Sequence, residues 1–366
     1  MSERCQVVEL PPGGLEVAAE ITAISSEPGS IHQQAEHLLE PLRRLVPFCL
    51  GRISMPHPDV RDRHLLVSYG SQDPVSAYFN SPAVVRDIQL IGLDRPHPPM
   101  CLRDLPVSPY ELTGWVHYLW PAGLQDGLAV GLFAPDGRHL GIMSLYTDSV
   151  GHPTAAARDL IGALAPVLAH AVDPLRSITT LATLVHGAAS ATVLTRTGGT
   201  MPVPGLATHP LFAENAPLLA VAARQVAAGR SHTAFLCPDP DPVSGHLRVT
   251  VLACPQERPF HLTALVLISA AGDIAGLTAR ELEVLGLLIE GWTDSRIAAS
   301  LAITKRTVAA HVEHVRMKLG VGNRTAAAAR AVRAGLYVPR GLAAGPMTAA
   351  SRVRTGRPLE GRPASG

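Results

Sequence analysis

The chain has 366 residues, of which 47% are hydrophobic and 17% charged, so it can form ordinary packed cores in two or three domains. Its net charge of +1 is unevenly distributed. The segment 293–333 contains eight basic and two acidic residues, a net charge of +6, whereas the remainder, with 23 basic and 28 acidic residues, has a net charge of −5. The positive charge is thus not spread over the whole chain. This asymmetry predicts that the segment 293–333 alone binds a polyanion.

Cysteine usage and hydropathy exclude several other classes of protein. The five cysteines form no C-x-x-C pair, and their odd number and wide spacing argue against a disulfide framework and a zinc site. The N-terminus has no apolar stretch of signal-peptide length, and no apolar run reaches the roughly 18 residues that a bilayer-spanning helix needs. We therefore expect a cytoplasmic protein without membrane contact and without a bound metal.

The first 172 residues combine helical and strand patterns. Residues 1–24, which are polar and interrupted by Pro and Gly, are predicted to be a flexible lead-in. A helical pattern begins at Ile31, and two short apolar runs then predict strands before a long irregular connection over 86–110. In GLAVGLFAPDGRHLGIMSLY, the turn tripeptide Pro-Asp-Gly between two apolar runs predicts an antiparallel hairpin, and a helical pattern follows. This order of elements resembles a GAF domain, a sensory α/β fold, over residues 25–172.

Residues 176–270 read as one strand with a Gly-rich turn, one helix and three further strands. The helix is predicted in ENAPLLAVAARQVAAG, with Gly229 as its end. The three strands are predicted in HTAFLCP, GHLRVTVLACP and HLTALVLIS. This order resembles a PAS-like α/β module, and a linker of small residues follows it.

The basic segment is predicted to fold into short helices with defined ends. Thr278, Thr293 and Thr304 are expected to cap three successive helices. The second and third helices are separated by the three-residue turn 302–304, and the third runs from Lys305 to Leu319. Two helices joined by such a turn form a helix-turn-helix unit, which places its second helix in the major groove of DNA.

The third helix separates an apolar face from a face of small side chains. Its apolar face, predicted to pack in the core, consists of Val308, Val312, Val315 and Leu319. The residues predicted to face bases are Ala309, Ala310 and Glu313, because small side chains let the helix backbone approach base edges. The residues predicted to contact phosphates are Thr304, Lys305, Arg306, Thr307, His311, Arg316, Lys318 and Arg324.

The whole segment from about Gly276 to Leu336 resembles the C-terminal domain of the LuxR family of bacterial transcription regulators. The resemblance rests on the motifs R-E-x-E-V-L, G-x-x-x-x-x-I-A-x-x-L, T-V-x-x-H and K-L-G-V. It implies an all-α domain of four helices over 273–338, with the fourth helix at Ala326–Ala334. It also implies binding to double-stranded DNA as a homodimer. RNA polymerase is a further candidate partner. Residues 341–366, rich in Gly, Ala, Pro and Arg, are predicted to be a disordered tail.

The predicted fold class is a multidomain α+β protein with a GAF-like domain, a PAS-like module and a four-helix DNA-binding domain. The expected function is sequence-specific regulation of transcription, controlled by the N-terminal sensory region and without enzyme activity. No cofactor is expected, although the GAF-like domain could take a small ligand. Two alternatives remain for the N-terminal region. One is a reductase that uses Cys49 and Cys101, and the other is a protein-interaction platform without a small ligand.

Overall fold

A computed structural model of the protein describes residues 10–56, 63–70, 73–241, 245–255 and 261–342. Its helices are α1 (Gly14–Ser26), α2 (Ile31–Leu45), α3 (Asp73–Phe79), α4 (Pro82–Ile91), α5 (Ala155–Ala171), α6 (Arg176–Leu184), α7 (Pro217–Ala227), α8 (Ala279–Ile289), α9 (Asp294–Leu301), α10 (Lys305–Leu319) and α11 (Arg324–Ala334). Its strands are β1 (Leu50–Pro56), β2 (Arg63–Tyr69), β3 (Met100–Cys101), β4 (Asp126–Phe133), β5 (His139–Thr147), β6 (Ala188–Thr195), β7 (Thr200–Pro202), β8 (His232–Pro238), β9 (His246–Ala253) and β10 (Leu262–Ala270). The predicted disordered tail lies, from residue 343 onward, outside the described residues.

The first sheet has five strands in the order β2-β1-β5-β4-β3, and its neighbouring strands are antiparallel. The predicted hairpin is confirmed as β4 and β5. The Ala134 amide donates to the Arg138 carbonyl at 2.9 Å, and Gly137 adopts a φ of 86°, which a residue with a Cβ rarely does. The tripeptide Pro-Asp-Gly thus makes the turn that its composition predicted.

One face of this sheet packs against α1, α2 and α5 and forms the main apolar core of the N-terminal region. Its largest fully buried side chains include Ile21, Leu38, Leu42, Phe48, Met143, Leu145 and Ile161. Burial of this many aliphatic side chains is the dominant stabilising contribution here. Helix α5 runs through Pro166 without interruption, and the Thr154 side chain caps its first turn.

The prediction of a flexible lead-in over 1–24 is wrong from Gly14 onward. Residues 14–24 lie in α1, which contacts both α2 and α5 and buries Val17 and Ile21. Of the Pro and Gly residues that suggested a loop, Pro11, Pro12 and Gly13 precede the helix and Gly14 is its first residue. Gly13, with a φ of 71°, forms the boundary. Residues 1–9 lie outside the described part of the chain.

The opposite face of the first sheet is covered by α3, α4 and a π-helical turn at Trp115–Leu119. The prediction of an irregular connection over 86–110 is therefore wrong at its start, because α4 extends to Ile91. Pro82 stands in the first turn of α4, where the missing N–H of proline costs no hydrogen bond. Val84, Asp87 and Ile88 are buried at helical spacing, and the tertiary layer they join could not be read from local composition.

The second sheet has the order β7-β6-β10-β9-β8. Numbered within its own module, this order is 2-1-5-4-3, the same as in the first sheet. The predicted succession of a strand, a helix and three strands is confirmed as β6, α7, β8, β9 and β10. Helix α6 and the short strand β7 were not predicted. Ile178 and Ala182 on α6 pack with Val193 of β6 and Leu265 of β10.

Residue contacts divide the chain into two compact units. The second unit contains residues 216–221, 233–250 and the described residues from 269 onward, and the first contains the others. In the second unit, α8 packs against α9, α10 and α11. No single helix in the described residues is long and apolar enough to cross a bilayer. Helices α5 and α6 reach that length and composition only when taken together across a 56° bend.

Candidate nucleic-acid interface

The first turn of helix α8 holds a buried carboxylate, Glu281, which contacts the last turn of α10. The Thr278 side chain accepts a hydrogen bond from the Glu281 amide, and the Glu281 carboxylate accepts from the Thr278 amide at 2.7 Å. Lys318 of α10 donates to the same carboxylate at 2.7 Å, although only 3% of Glu281 is exposed. Burial alone would raise the pKa of Glu281, but these hydrogen bonds outweigh burial and hold the pKa below its usual range.

The predicted three-residue turn between α9 and α10 is confirmed. Ala302 ends α9 in the left-handed region with a φ of 52°, and the Ile303 amide donates to the Ala298 carbonyl at 3.0 Å. The Thr304 hydroxyl then accepts from the Thr307 amide at 3.1 Å, which begins α10 with the predicted cap. Helix, turn and helix therefore have the arrangement of a helix-turn-helix unit.

Helix α10 has the two faces that the sequence predicted. Val308, Val315 and Leu319 are buried, and Val312 is half-buried. The opposite face, formed by Ala309, Ala310, Glu313 and Met317, is exposed. Contact between this face and DNA bases stays a prediction.

The first turn of α10 presents two cations to solvent. Lys305 and Arg306 are exposed, and neither forms an ion pair with any described residue. The hydroxyls of Thr304 and Thr307 lie beside them, 2.9 Å from each other, and His311 is half-buried one turn further on. Five of the eight predicted phosphate-contacting residues therefore lie near the N-terminal end of α10, where the helix dipole also favours anions.

The other three predicted phosphate-contacting residues are already engaged within the domain. Lys318 is paired with Glu281, as described above. Arg316 pairs at 2.7 Å with Glu313, one of the predicted base-facing residues, and also donates to the Gly322 carbonyl. Arg324 pairs with Asp294 at 3.2 Å and donates to the Trp292 carbonyl at 3.0 Å. These cations link helices and helix ends, a role that their clustering in the sequence did not reveal.

Two further residues support the domain and were not singled out from the sequence. The Asn323 side chain accepts from the Ala326 amide at 2.8 Å and caps α11. An Asn directly before an alanine-rich helix is a cap pattern, so this role could have been predicted. Trp292 is 8% exposed and lies under the Arg296 guanidinium, 3.9 Å from the ring centroid. No local signal identifies this stacking.

The segment that follows α11 packs on strands β8 and β9 within the second unit. The Leu236 amide donates to the Tyr337 carbonyl at 2.8 Å, and the Phe235 and Tyr337 rings lie 6.3 Å apart. Arg248 of β9 donates to the Ala334 carbonyl at 2.9 Å and to the Ala271 carbonyl at 3.1 Å. Arg248 thus forms hydrogen bonds both before the first and after the last helix of the four-helix domain.

The surroundings of Cys49 and Cys101, the thiols named in the reductase alternative, disfavour a reactive thiolate. Burial raises the pKa of the Cys101 thiol to about 11. Burial, and then the charge of Asp148, raise the pKa of Cys49 as well. A cysteine nucleophile requires a lowered thiol pKa, so these sites disfavour that alternative.

Comparison with known proteins gives matches for the C-terminal domain and for the N-terminal region. Residues 275–331 match the model of the luxR family of bacterial regulatory proteins. The chain is 47% identical over 57 residues to the transcriptional regulatory protein LiaR of Bacillus subtilis, but that match covers 16% of this chain and 27% of LiaR. It is 41% identical over 59 residues to the spore germination protein GerE of the same organism, covering 16% of this chain and 80% of GerE. A crystal structure of a GAF domain from Pseudomonas syringae pv. tomato matches with a TM-score of 0.33 and 14% identity, covering 47% of this chain and 93% of that domain.

Proposed function

The chain belongs to the LuxR family of bacterial regulatory proteins, and on that premise we propose that residues 273–338 bind double-stranded DNA and that the protein regulates transcription. The observation that carries this proposal is the exposed face of α10. Small side chains occupy its centre, while Lys305 and Arg306 are exposed at its N-terminal end and pair with no acid in the described part of the chain. A helix with this distribution can enter the major groove while its cations contact the phosphates.

In this proposal the base-facing residues are Ala309, Ala310 and Glu313. The two alanines let the helix backbone come close to the groove floor, and their methyl groups fit against thymine methyls. Glu313 can accept a hydrogen bond from a cytosine amino group once Arg316 turns from it towards a phosphate. The phosphate contacts are made first by Lys305, Arg306, Thr304, Thr307 and His311.

The proposed assembly on DNA is a homodimer that reads an inverted repeat, with α11 contributing to the contact between subunits. Two recognition helices related by a two-fold axis reach half-sites about one helical turn apart. RNA polymerase is the proposed second partner, and the cytoplasm is the proposed compartment because the DNA is there. The N-terminal GAF-like domain is proposed to control DNA binding or activation.

A salt titration of the full chain on selected operator DNA and on random DNA tests the proposed interface. Arg306→Ala is expected to weaken binding about equally on both DNAs and to flatten the log–log salt slope by roughly one unit, because one phosphate contact is lost. Arg95→Ala is the matched control, since Arg95 lies in the N-terminal region with 83% of its side chain exposed. Equal effects of the two substitutions would rule out the proposed phosphate contact.

Ala310→Leu tests the base-facing surface in the same titration. The larger side chain is expected to hold α10 away from the groove floor and to cost about 1–3 kcal/mol for each lost base contact. Binding to random DNA is expected to change little, because it is mostly electrostatic. If the substitution leaves the preference for operator DNA intact, Ala310 does not face bases.

A further inference from the structure

A cavity lies in the first unit between the first sheet and the layer formed by α3, α4 and the π-helical turn. It is partly open to solvent, and the centre of a water molecule can occupy about 80 Å³ of it, which is space for several waters. Its walls are mostly apolar and include Phe79, Ile88, Trp115 and Leu119. A mostly apolar cavity with a few polar groups is typical of small-molecule sites, and no residue of the proposed DNA interface lines it.

The sheet directs a set of polar side chains into this apolar cavity. Arg52 and Ser54 on β1 and Ser144 on β5 line it, and Arg52 stands opposite Ser144 in the strand register. Alternate residues of a strand point to opposite faces, so the intervening Ile53 and Met143 lie in the apolar core on the other side.

Arg52 is the most unusual member of this set. Only 5% of it is exposed, and its guanidinium lies 4.0 Å from the centroid of the Phe79 ring. Among the described residues it forms no ion pair. Burial lowers the pKa of Arg52 to about 10. A guanidinium buried without a carboxylate among the described residues costs stability, which makes Arg52 the candidate group for pairing with an anionic ligand.

Arg63 and Asp87 are the other charged groups among the described residues that line the cavity. Arg63 also lines the cavity and donates to the Ser54 hydroxyl at 3.1 Å and to the Ser54 carbonyl at 2.9 Å. Asp87 is the acidic residue among the described lining, but its oxygens accept from the Tyr78 hydroxyl at 2.9 Å and from the Gly114 amide at 2.7 Å. Because Asp87 is engaged in joining α4 to the π-helical turn, it has little capacity left to pair with Arg52.

We propose that this cavity binds a small carboxylic acid with an apolar body, with Arg52 as the group that recognises the carboxylate. The planar guanidinium matches the two oxygens of a carboxylate, and the hydroxyls of Ser54 and Ser144 lie beside it on the same sheet face. The apolar body lies against Phe79 and Trp115. A phosphate monoester fits less well, because its second negative charge would also have to enter an apolar cavity. Any effect of the acid on DNA binding rests on the sensory control proposed above.

The experiment compares acids with their neutral amides on the full chain in the absence of DNA. The probes are 3-phenylpropionate, octanoate, the two corresponding amides and phenyl phosphate, and binding is measured by isothermal titration calorimetry. We expect at least one acid to bind tenfold or more tightly than its amide and more tightly than phenyl phosphate. Acids that bind no better than their amides, or no measurable binding of either acid, would overturn the proposal. Tighter binding of phenyl phosphate would overturn the assignment to a carboxylate.

Substitution of Arg52 separates recognition from a structural role. Arg52→Met is expected to remove the preference for the acid while the melting temperature of the ligand-free chain stays unchanged or rises. Arg95→Met, which removes an exposed guanidinium, is the control and is expected to keep the acid preference. A lowered melting temperature in Arg52→Met together with an unchanged acid preference assigns Arg52 to the fold and overturns the proposal. If the variant does not fold, the comparison of acid and amide on the unmodified chain still decides the question.

DNA affinity is measured separately, with and without the acid that binds. Acid binding that leaves DNA affinity and transcription unchanged confirms the site and contradicts the proposed sensory control. Loss of DNA binding in the interface variants leaves the acid titration unaffected. The two proposals can therefore fail independently.

Discussion

At the scale of single residues, the pair of Lys318 and Glu281 shows that a cation in a basic segment can be structural. Lys318→Met is expected to destabilise the C-terminal helices at neutral pH by roughly 3 kcal/mol, because it leaves a buried carboxylate without its cation. Lys305→Met removes an exposed, unpaired cation from the same helix and is expected to leave stability unchanged. Urea unfolding followed by the helical circular dichroism signal compares the two variants, and equal stability at neutral pH would contradict the structural role.

The same pair predicts how this loss depends on pH. The pKa of Glu281 is lowered in the folded state, so its stabilising contribution is present above the unfolded pKa of about 4.3 and is lost as pH falls through the folded pKa. The difference in unfolding free energy between the unmodified chain and Lys318→Met should therefore be largest near pH 7. It should shrink below about pH 4. A difference that stays constant over this range would show that Lys318 stabilises the domain by packing alone.

At the scale of elements, the two left-handed helix ends of the helix-turn-helix unit predict opposite effects of glycine and alanine. Ala302 has a φ of 52° without the freedom of glycine, so Ala302→Gly is expected to stabilise α9 by about 0.5–1 kcal/mol. Gly320, with a φ of 62°, ends α10 in the same conformation, and Gly320→Ala is expected to destabilise it by about 1 kcal/mol. Amide hydrogen exchange of α9 and α10 in the full chain measures both changes. Effects of the same sign would contradict the assignment of strain to the backbone.

Elements marked by local signals were predictable from the sequence, whereas elements created by tertiary contacts were not. The caps at Thr278, Thr293 and Thr304 and the apolar period of α10 are short-range patterns, and all are present in the structure. Helix α1 was missed because its stability depends on packing against α5, where a Cβ at Gly14 would stand 3.0 Å from Leu160. Arg52 and Ser144 are 92 positions apart in sequence and are brought together by the register of two strands. No local sequence pattern could therefore predict the cavity.

At the scale of the whole molecule, two sheets with the same strand order precede one four-helix domain along the sequence. The order 2-1-5-4-3 occurs in both, although the modules differ in their helices and were distinguished in the sequence by different patterns. The sequence also placed the boundary of the DNA-binding domain at residue 273. Residues 233–250 nevertheless cluster with that domain, because Arg248 and Leu236 bond to the segment around α11. A fragment that begins at 273 lacks these partners.

The contact between Leu236 and Tyr337 has a consequence for solubility. Strand β8 is an edge strand of its sheet, and an edge with unpaired amides is a template on which another chain can add a strand. The Tyr337 carbonyl accepts a hydrogen bond from the Leu236 amide and so occupies one donor of this edge. A chain ending at Gly335 should therefore form larger assemblies with rising concentration in light scattering, whereas one ending at Leu342 should not. Tyr337→Ala, which loses the ring but keeps the carbonyl, should remain as dispersed as the longer chain, so aggregation of that variant would assign the effect to lost packing. The last described residues of a DNA-binding domain would then also serve to keep a neighbouring sheet from polymerising.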